Sequence, residues 1–351
     1  MSQDHLLVSV VIPNWNYGEF LRAAIDSALG LDWPAVEVIV VDDGSTDNSR
    51  AVIESYGDRI LALFQANQGQ SAACNAGFAH VKGEVVIFLD SDDLLDRSIV
   101  KEIAAVWRPG ISKVQFQMKI VDAQGNATGS TFPQYNVVPT PQEIRKWALR
   151  AAAYPTAVGS GNAYARRFLD KIFPLDCTER ASDSYCVTAA PYLGDVVTVA
   201  KPLVSYRVHG RNEGAMSTLQ VDRFGRELAR ALWRFQYAQR IALSAGTSIP
   251  DAVVWKSLAV LPYRLASLRL APGAHPIPRD SVAAVVRDTV KASFVPQGRA
   301  AQARAVLLAW TILVALLPRT ASERLVLWRF ASPSRPEALR RLLAVLRVVK
   351  R

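Results

Sequence analysis

Two acidic clusters close apolar runs within the first hundred residues. Val38-Ile39-Val40-Val41 runs into Asp42-Asp43-Gly44-Ser45-Thr46-Asp47, and Val85-Val86-Ile87-Phe88-Leu89 runs into Asp90-Ser91-Asp92-Asp93. Carboxylates crowded in this way repel one another unless a cation or hydrogen-bond donors lie between them. A divalent metal carrying a diphosphate answers both clusters with a single ligand, because hard cations take oxygen donors from protein and phosphate together.

Short β-branched runs read as buried parallel strands, and in an open α/β sheet ligands bind beyond the carboxyl ends of such strands. The first 110 residues alternate accordingly. Strands are predicted at Leu7–Pro13, Val36–Val41, Ile60–Phe64 and Glu84–Leu89, with helices at Glu19–Leu29 and Gln70–His80 between them. Phe20, Leu21, Ala24, Ile25 and Ala28 share one face of the first helix. Ser45 or Thr46 is positioned to cap a helix starting near Asp47. This pattern predicts a mostly parallel, doubly wound sheet with right-handed crossovers.

Further strands are expected at Gln115–Val121, Val196–Ala200 and Leu203–Val208, with a hairpin or loop over Asp122–Tyr135. Helices are expected at Pro141–Ala153 and Ala181–Leu193, and Gly159-Ser160-Gly161-Asn162 reads as a loop. After about residue 220 the pattern is all-helical. There Ser334 and Glu337 have capping-box spacing, ahead of a stripe of Leu339, Leu342, Leu343 and Leu346 with Arg340, Arg341 and Arg347 opposite.

With these elements in order, the chain resembles the family 2 glycosyltransferases, inverting enzymes of the nucleotide-diphospho-sugar transferase (GT-A-like) fold. The matching pieces are Val8 to Asn16, Val40 to Asp47, Asn67 to Gly77 and Gly83 to Asp93. A weaker block follows from Ser160 to Asn212, ending in Tyr206-Arg207-Val208-His209-Gly210-Arg211-Asn212. The resemblance implies a catalytic domain over 1–219, with a nucleotide-binding half at 1–110 and an acceptor-side half at 111–219. Residues 220–351 form a basic helical extension.

The resemblance also implies the roles of particular residues. Pro13, Asn16, Asp42 and Asp43 face the donor nucleoside, with Asp43 accepting from the base. Asp90-Ser91-Asp92 resembles the family's acidic metal motif: Asp92 is a ligand to Mn²⁺ or Mg²⁺, Asp90 a ribose or metal contact, and Asp93 support. His209 meets the metal or diphosphate, and Arg207 and Arg211 have the fork geometry that matches phosphate oxygens. Asp183 is the expected general base, which must take a proton from the acceptor hydroxyl; Asp176 and Asp195 are weaker candidates. Two positions depart from the family pattern. Ser182 stands where relatives carry Glu, and Cys74 stands where many carry Arg. Cys74 reads as a buried small residue, and Gly69 and Gly77 as points of close backbone approach.

Composition narrows the setting. From Ser205 onward 24 Lys and Arg oppose 8 Asp and Glu, whereas 17 oppose 23 before it. A basic C-terminal part suggests a polyanionic surface as partner. Trp310, Trp328 and Phe330 are expected as anchors to an anionic membrane, with simple packing on the catalytic core as the alternative. No zinc spacing or reader motif supports nucleic-acid binding. Three cysteines without paired spacing suit a reducing compartment. No signal peptide is read at the N-terminus, and the longest apolar stretch, Ala305–Leu317, falls short of a bilayer span. A cytoplasmic protein, peripheral on the inner face of the membrane, is therefore expected. It would transfer a sugar from a UDP-sugar to a glycan or polyprenyl-linked acceptor in cell-surface polysaccharide synthesis. The alternatives are a non-catalytic nucleotide-sugar-binding or scaffold protein and, more remotely, a nucleotidyltransferase.

Overall fold

The four N-terminal apolar runs become neighbouring parallel strands. The computed structural model describes residues 6–135, 137–178, 182–210, 220–295, 300–331 and 334–345. Expectations for Ala181, Arg211, Asn212, Leu346 and Arg347 lie outside the described residues. Strands β1 (Val8–Asn14), β2 (Val36–Asp43), β3 (Leu61–Gln65) and β4 (Val85–Phe88) alternate with helices α1 (Gly18–Leu29), α2 (Ser49–Glu54) and α3 (Gln70–Phe78). There follow β5 (Leu94–Leu95), α4 (Ile99–Val106), β6 (Ile111–Val121), β7 (Ala127–Phe132), α5 (Pro141–Ala151), β8 (Asn162–Ala165), α6 (Arg166–Leu169), α7 (Ser182–Leu193) and β9 (Asp195–Arg207).

All nine strands join one sheet in the order β3-β2-β1-β4-β8-β6-β9-β5, with β7 paired to β6. The run β3-β2-β1-β4 is parallel. Beyond it the sheet is mixed: β8 lies antiparallel between β4 and β6, while β6 and β9 pair in parallel. Every residue of β1 is buried, as a central strand requires. Gly77 lets α3 close on this sheet, since a Cβ there would stand 2.4 Å from Val11 Cγ1.

Some local expectations change. The two short strands at Val196–Ala200 and Leu203–Val208 are one strand, β9, whose pairing slips as Phe116↔Val199 gives way to Gln117↔Pro202. Pro202 cannot donate to a ladder, so the strand accommodates it at an irregularity. Neither Ser45 nor Thr46 caps α2, which begins at Ser49 without a side-chain cap. Ser334 donates to the Ala331 carbonyl at 2.7 Å and makes no capping box.

The chain divides into two compact units, one comprising residues to Arg145 and Pro155–His209, the other Lys146–Tyr154 and residues from Gly210 onward. The second holds α8 (Val221–Ser244), α9 (Leu261–Leu270), α10 (Val282–Ser293), α11 (Ala301–Leu316), α12 (Arg319–Phe330) and α13 (Glu337–Val345). Its core is built by Phe224, Leu261, Leu265, Val285, Leu307, Val314 and Val326. Beside that core lies a buried ionic network. The Arg264 guanidinium reaches Asp280 with Nε and Nη2, at 2.5 and 2.6 Å, and Asp288 with Nη1 at 2.7 Å. His275 bridges Ser267 and Asp280 through its two ring nitrogens.

Two of the expected membrane anchors turn inward. Trp310 donates its ring N–H to the Leu325 carbonyl at 3.0 Å, and Phe330 packs on Phe224 and Tyr263. No helix among the described residues is long and apolar enough to cross a membrane.

Candidate active site

The carboxyl ends of β1 and β2 are stapled side by side. Asn14 and Asp42 are register partners, and Asn14 Nδ2 donates to Asp42 Oδ1 at 2.9 Å. Asp42 Oδ2 accepts the Ser45 N–H at 3.2 Å. Asn16 adopts φ +58°, a conformation that Asn tolerates better than most residues. This lets its Oδ1 accept from Thr46 N at 2.7 Å while its own N–H donates to Ser45 Oγ at 2.8 Å. Pro13 is buried in β1 opposite Val41. Asp42 and Asn16 thus hold two loops together, the first task their geometry performs.

Asp43 is 2% exposed and anchors the loop between β3 and α3. Its Oδ1 accepts from Gln65 Nε2 and Gln68 N, at 2.7 and 2.9 Å, and its Oδ2 from Gly69 N at 2.7 Å. The next residue, Gln70, donates to Asp90 Oδ1 at 3.0 Å. Four residues from the end of β3 to the start of α3 therefore tie the first acidic cluster to the second.

The second cluster is the electrostatic centre. Burial and the charges of Asp93, Asp92 and Asp183 push the Asp90 carboxyl well above its ordinary range. Burial and the Asp92 charge push Asp93 up to about 8, against the pull of bonds from Arg207 and Ser160. Asp92 Oδ2 lies 2.9 Å from His209 Nε2 across 117 residues of sequence. The imidazole stacks on Phe20 at 4.9 Å and meets Tyr17 edge-on at 5.6 Å, which fixes its plane. Arg207, expected to reach a diphosphate, is buried and engaged with protein groups. Its Nε donates to the Asp92 carbonyl at 2.8 Å, Nη1 to the Ala123 carbonyl at 2.9 Å, and the guanidinium lies over the Phe20 ring. A guanidinium this enclosed holds the acidic loop in place.

Asp183, in the first turn of α7, accepts the Gly159 N–H at 2.9 Å. A Cβ on Gly159 would stand 2.3 Å from Asp90 Oδ2. One glycine is therefore wedged between the acidic motif and Asp183. The two departures from the family pattern also meet, since Cys74 Sγ donates to Ser182 Oγ at 3.3 Å. Burial pushes the Cys74 thiol up to about 12, so it is no nucleophile. Beneath them Lys113 is fully buried, donates to Thr156 Oγ1 at 2.7 Å, and is driven well below its ordinary basicity by burial.

Sequence reasoning had Gly159 and Ser160 only as loop residues. Ser160, fully buried, accepts the Asp90 N–H at 2.9 Å and donates to Asp93 Oδ2 at 2.7 Å. The available signal was a Gly-Ser-Gly-Asn run just before a buried strand, where backbone approaches something closely. Ser160→Ala leaves a buried N–H and a buried carboxyl oxygen each short of a partner. The expected loss is about 1–3 kcal/mol of stability, read from the midpoint of urea denaturation; an unchanged midpoint would remove Ser160 from the framework.

Among the described residues no group of three or more His, Cys, Asp or Glu side chains is arranged to hold a metal ion. A Mg²⁺-type ion carried on a nucleoside diphosphate needs fewer, because one or two protein ligands suffice when phosphate and water complete its shell. Asp92 and His209, 2.9 Å apart, are the residues that would hold it. Burial and mutual repulsion push the Asp90 and Asp93 carboxyls upward beside them, which marks a site short of positive charge. The donor set fits a diphosphate-borne cation.

A mixed α/β sheet with acidic loops at the carboxyl ends of its parallel strands is the arrangement of the nucleotide-diphospho-sugar transferase (GT-A-like) fold. Residues 9–173 match the model of Glycosyl transferase family 2. Over 261 residues the chain is 34% identical to an uncharacterized glycosyltransferase of Nostoc sp., spanning 68% of this chain and 79% of that protein. It is 25% identical to the glycosyltransferase GlyA of Streptococcus pneumoniae, over 69% of this chain and 35% of GlyA. Among solved structures, residues 1–349 of S. aureus TarS, in complex with UDP-GlcNAc, share the fold with a TM-score of 0.52. The sequences are 16% identical, and 92% of each chain is covered. The chain belongs to glycosyl transferase family 2 and is a glycosyltransferase.

Proposed function

We propose that this glycosyltransferase is inverting and metal-dependent. In this reading it moves a hexose from a UDP-sugar to a glycan or polyprenyl-linked acceptor during cell-surface polysaccharide synthesis, at the inner face of the membrane. The observation that carries the reading is Gly159. Its N–H holds Asp183 while its α-carbon abuts Asp90, so a proton acceptor and an acidic motif share one residue.

Asp43 and the loop after Pro13 face the donor base, and Asp90 faces the ribose. Asp92 and His209 hold the cation, which when bound neutralises the charge growing on the departing diphosphate. Asp183 takes the proton of the acceptor hydroxyl as its oxygen attacks the anomeric carbon opposite the leaving group. One C–O bond forms, one breaks, and the anomeric configuration inverts. The TarS complex with UDP-GlcNAc makes uridine donors the ones to try first.

A second reading, a non-catalytic nucleotide-sugar-binding protein, is favoured by the Cys74–Ser182 contact, where two uncharged residues replace the charged ones of relatives. A thermal-shift panel of nucleotide-sugars with and without Mn²⁺ separates the readings from failure of both. A ligand at a hundred times its Kd stabilises by about 2.7 kcal/mol, a readily visible shift. The parent is expected to show a Mn²⁺-dependent increment with a UDP-sugar, and Asp92→Asn to lose that increment. Binding without turnover across an acceptor panel supports the second reading; an increment that survives in Asp92→Asn removes that residue as a ligand.

A further inference from the structure

Helix α11 is apolar on both of its sides. Leu307, Thr311 and Val314 face the core of the helical unit and are 3%, 2% and 0% exposed. On the opposite side Ala305, Ala309, Ile312, Leu313 and Leu316 are exposed, Leu316 at 79% and Leu313 at 47%. Their spacing of i, i+4, i+7, i+8 and i+11 makes one stripe along the helix. No charged residue occurs from Ala305 to Leu317. The solvent face of a surface helix ordinarily carries its charges, so this stripe is built for something other than water.

The surroundings say what covers it. Arg319, its side chain 66% exposed and paired with Glu323 at 3.0 Å, follows the stripe. From Gly210 onward 23 Lys and Arg stand against 8 Asp and Glu. A second copy of so cationic a unit is repelled, whereas an anionic lipid surface attracts it and offers hydrocarbon to the stripe. The helix has 16 residues, about 24 Å at 1.5 Å per residue. That falls short of the roughly 30 Å hydrocarbon core, so the geometry suits lying in the interface.

We propose that the exposed face of α11 is a docking surface for an anionic bilayer, with Ile312, Leu313 and Leu316 entering the headgroup boundary. Trp310 and Phe330, the anchors expected from sequence, instead brace the helix from within. The proposal deepens the membrane-peripheral part of the reading above, but its test involves no turnover, so the two fail separately.

The full chain is sedimented with vesicles of phosphatidylcholine alone and of phosphatidylcholine with about one third phosphatidylglycerol. Binding is expected to the anionic vesicles and to be at least about tenfold weaker to the neutral ones. Leu313→Glu combined with Leu316→Glu is expected to lower binding by a further factor of about ten, with an unchanged melting temperature because both side chains are exposed. Light scattering runs in parallel. Three results overturn the proposal: no binding to either vesicle, a double variant that binds like the parent, or a parent dimer that the double variant dissolves.

Discussion

Asp183→Asn is expected to lower the transfer rate by roughly 10²–10⁴-fold, the range typical of losing a positioned proton acceptor. The substitution isolates the chemistry because asparagine keeps an oxygen where Asp183 Oδ2 now accepts the Gly159 N–H. The loop from Ala157 to Gly161 should therefore stay in place, and with it the Asp90 and Asp93 contacts of Ser160. Binding of UDP with Mn²⁺, measured by calorimetry, is expected to remain close to parental. That split of turnover from binding is what a purely structural aspartate would not produce. Asp195 and Asp176 provide internal controls. Asp195 pairs with Arg108 at 2.7 Å, and Asp176 accepts from Tyr185 and Thr178. Neither is the acid held at Gly159, so Asp195→Asn should retain activity. Transfer by Asp183→Asn at the parental rate would dismiss it as the base.

The helical unit should prove equally sensitive at Arg264. Arg264→Leu is expected to cost about 3–5 kcal/mol, the usual penalty for removing one partner of a buried ionic network. Asp280, with 1% of its side chain exposed, would be left without its cation, and Asp288, with 14%, would keep only Arg287 at 3.3 Å. Circular dichroism during urea denaturation reads the loss. Adding Asp280→Asn and Asp288→Asn to Arg264→Leu should recover much of it, because the uncompensated charges go. A single variant as stable as the parent would mean that the network carries no net stability.

The same network gives a pH dependence. Burial alone would raise the Asp280 carboxyl, but its bonds from Arg264 outweigh that and bring it below 3.8. Burial lowers His275 below 6.5, against the pull of Asp280. A histidine that resists protonation when folded binds fewer protons than it does unfolded. Stability therefore declines as pH drops below about 6.5, and the Asp280 contribution is lost later, below about 3.8. Melting temperature against pH should follow that order in the parent and show a smaller acidic step in Arg264→Leu, where Asp47 and Asp96, also lowered, still contribute.

Much of the first 110 residues was legible because the signals there are local. A β-branched run that must be buried on both faces is a strand wherever it sits, and acids at its carboxyl end sit at the sheet's binding edge. Asp43, Asp90 and Asp92 needed nothing more to be noticed. Arg207 shows where local signals stop. A guanidinium serves a phosphate and a ring of backbone carbonyls equally well, and only the path of β9 past the acidic loop decides between them. Trp310 and Phe330 were similar: large aromatic rings suit a membrane interface, yet which side of a helix faces inward depends on its neighbours.

The sequence by itself determined the alternation of strands and helices, the acidic loops at their ends, and the charge divide near residue 205. Hydrophobic periodicity and side-chain type act over a few residues, and both are written into the chain in full. Only the tertiary structure decided that Asp92 meets His209 across 117 residues, that Cys74 touches Ser182 across 108, and that Gly159 is shared by Asp90 and Asp183. Those meetings follow from the strand order β4-β8-β6-β9. Strand order is chosen by how all the buried faces pack together, a property that no single stretch of sequence carries.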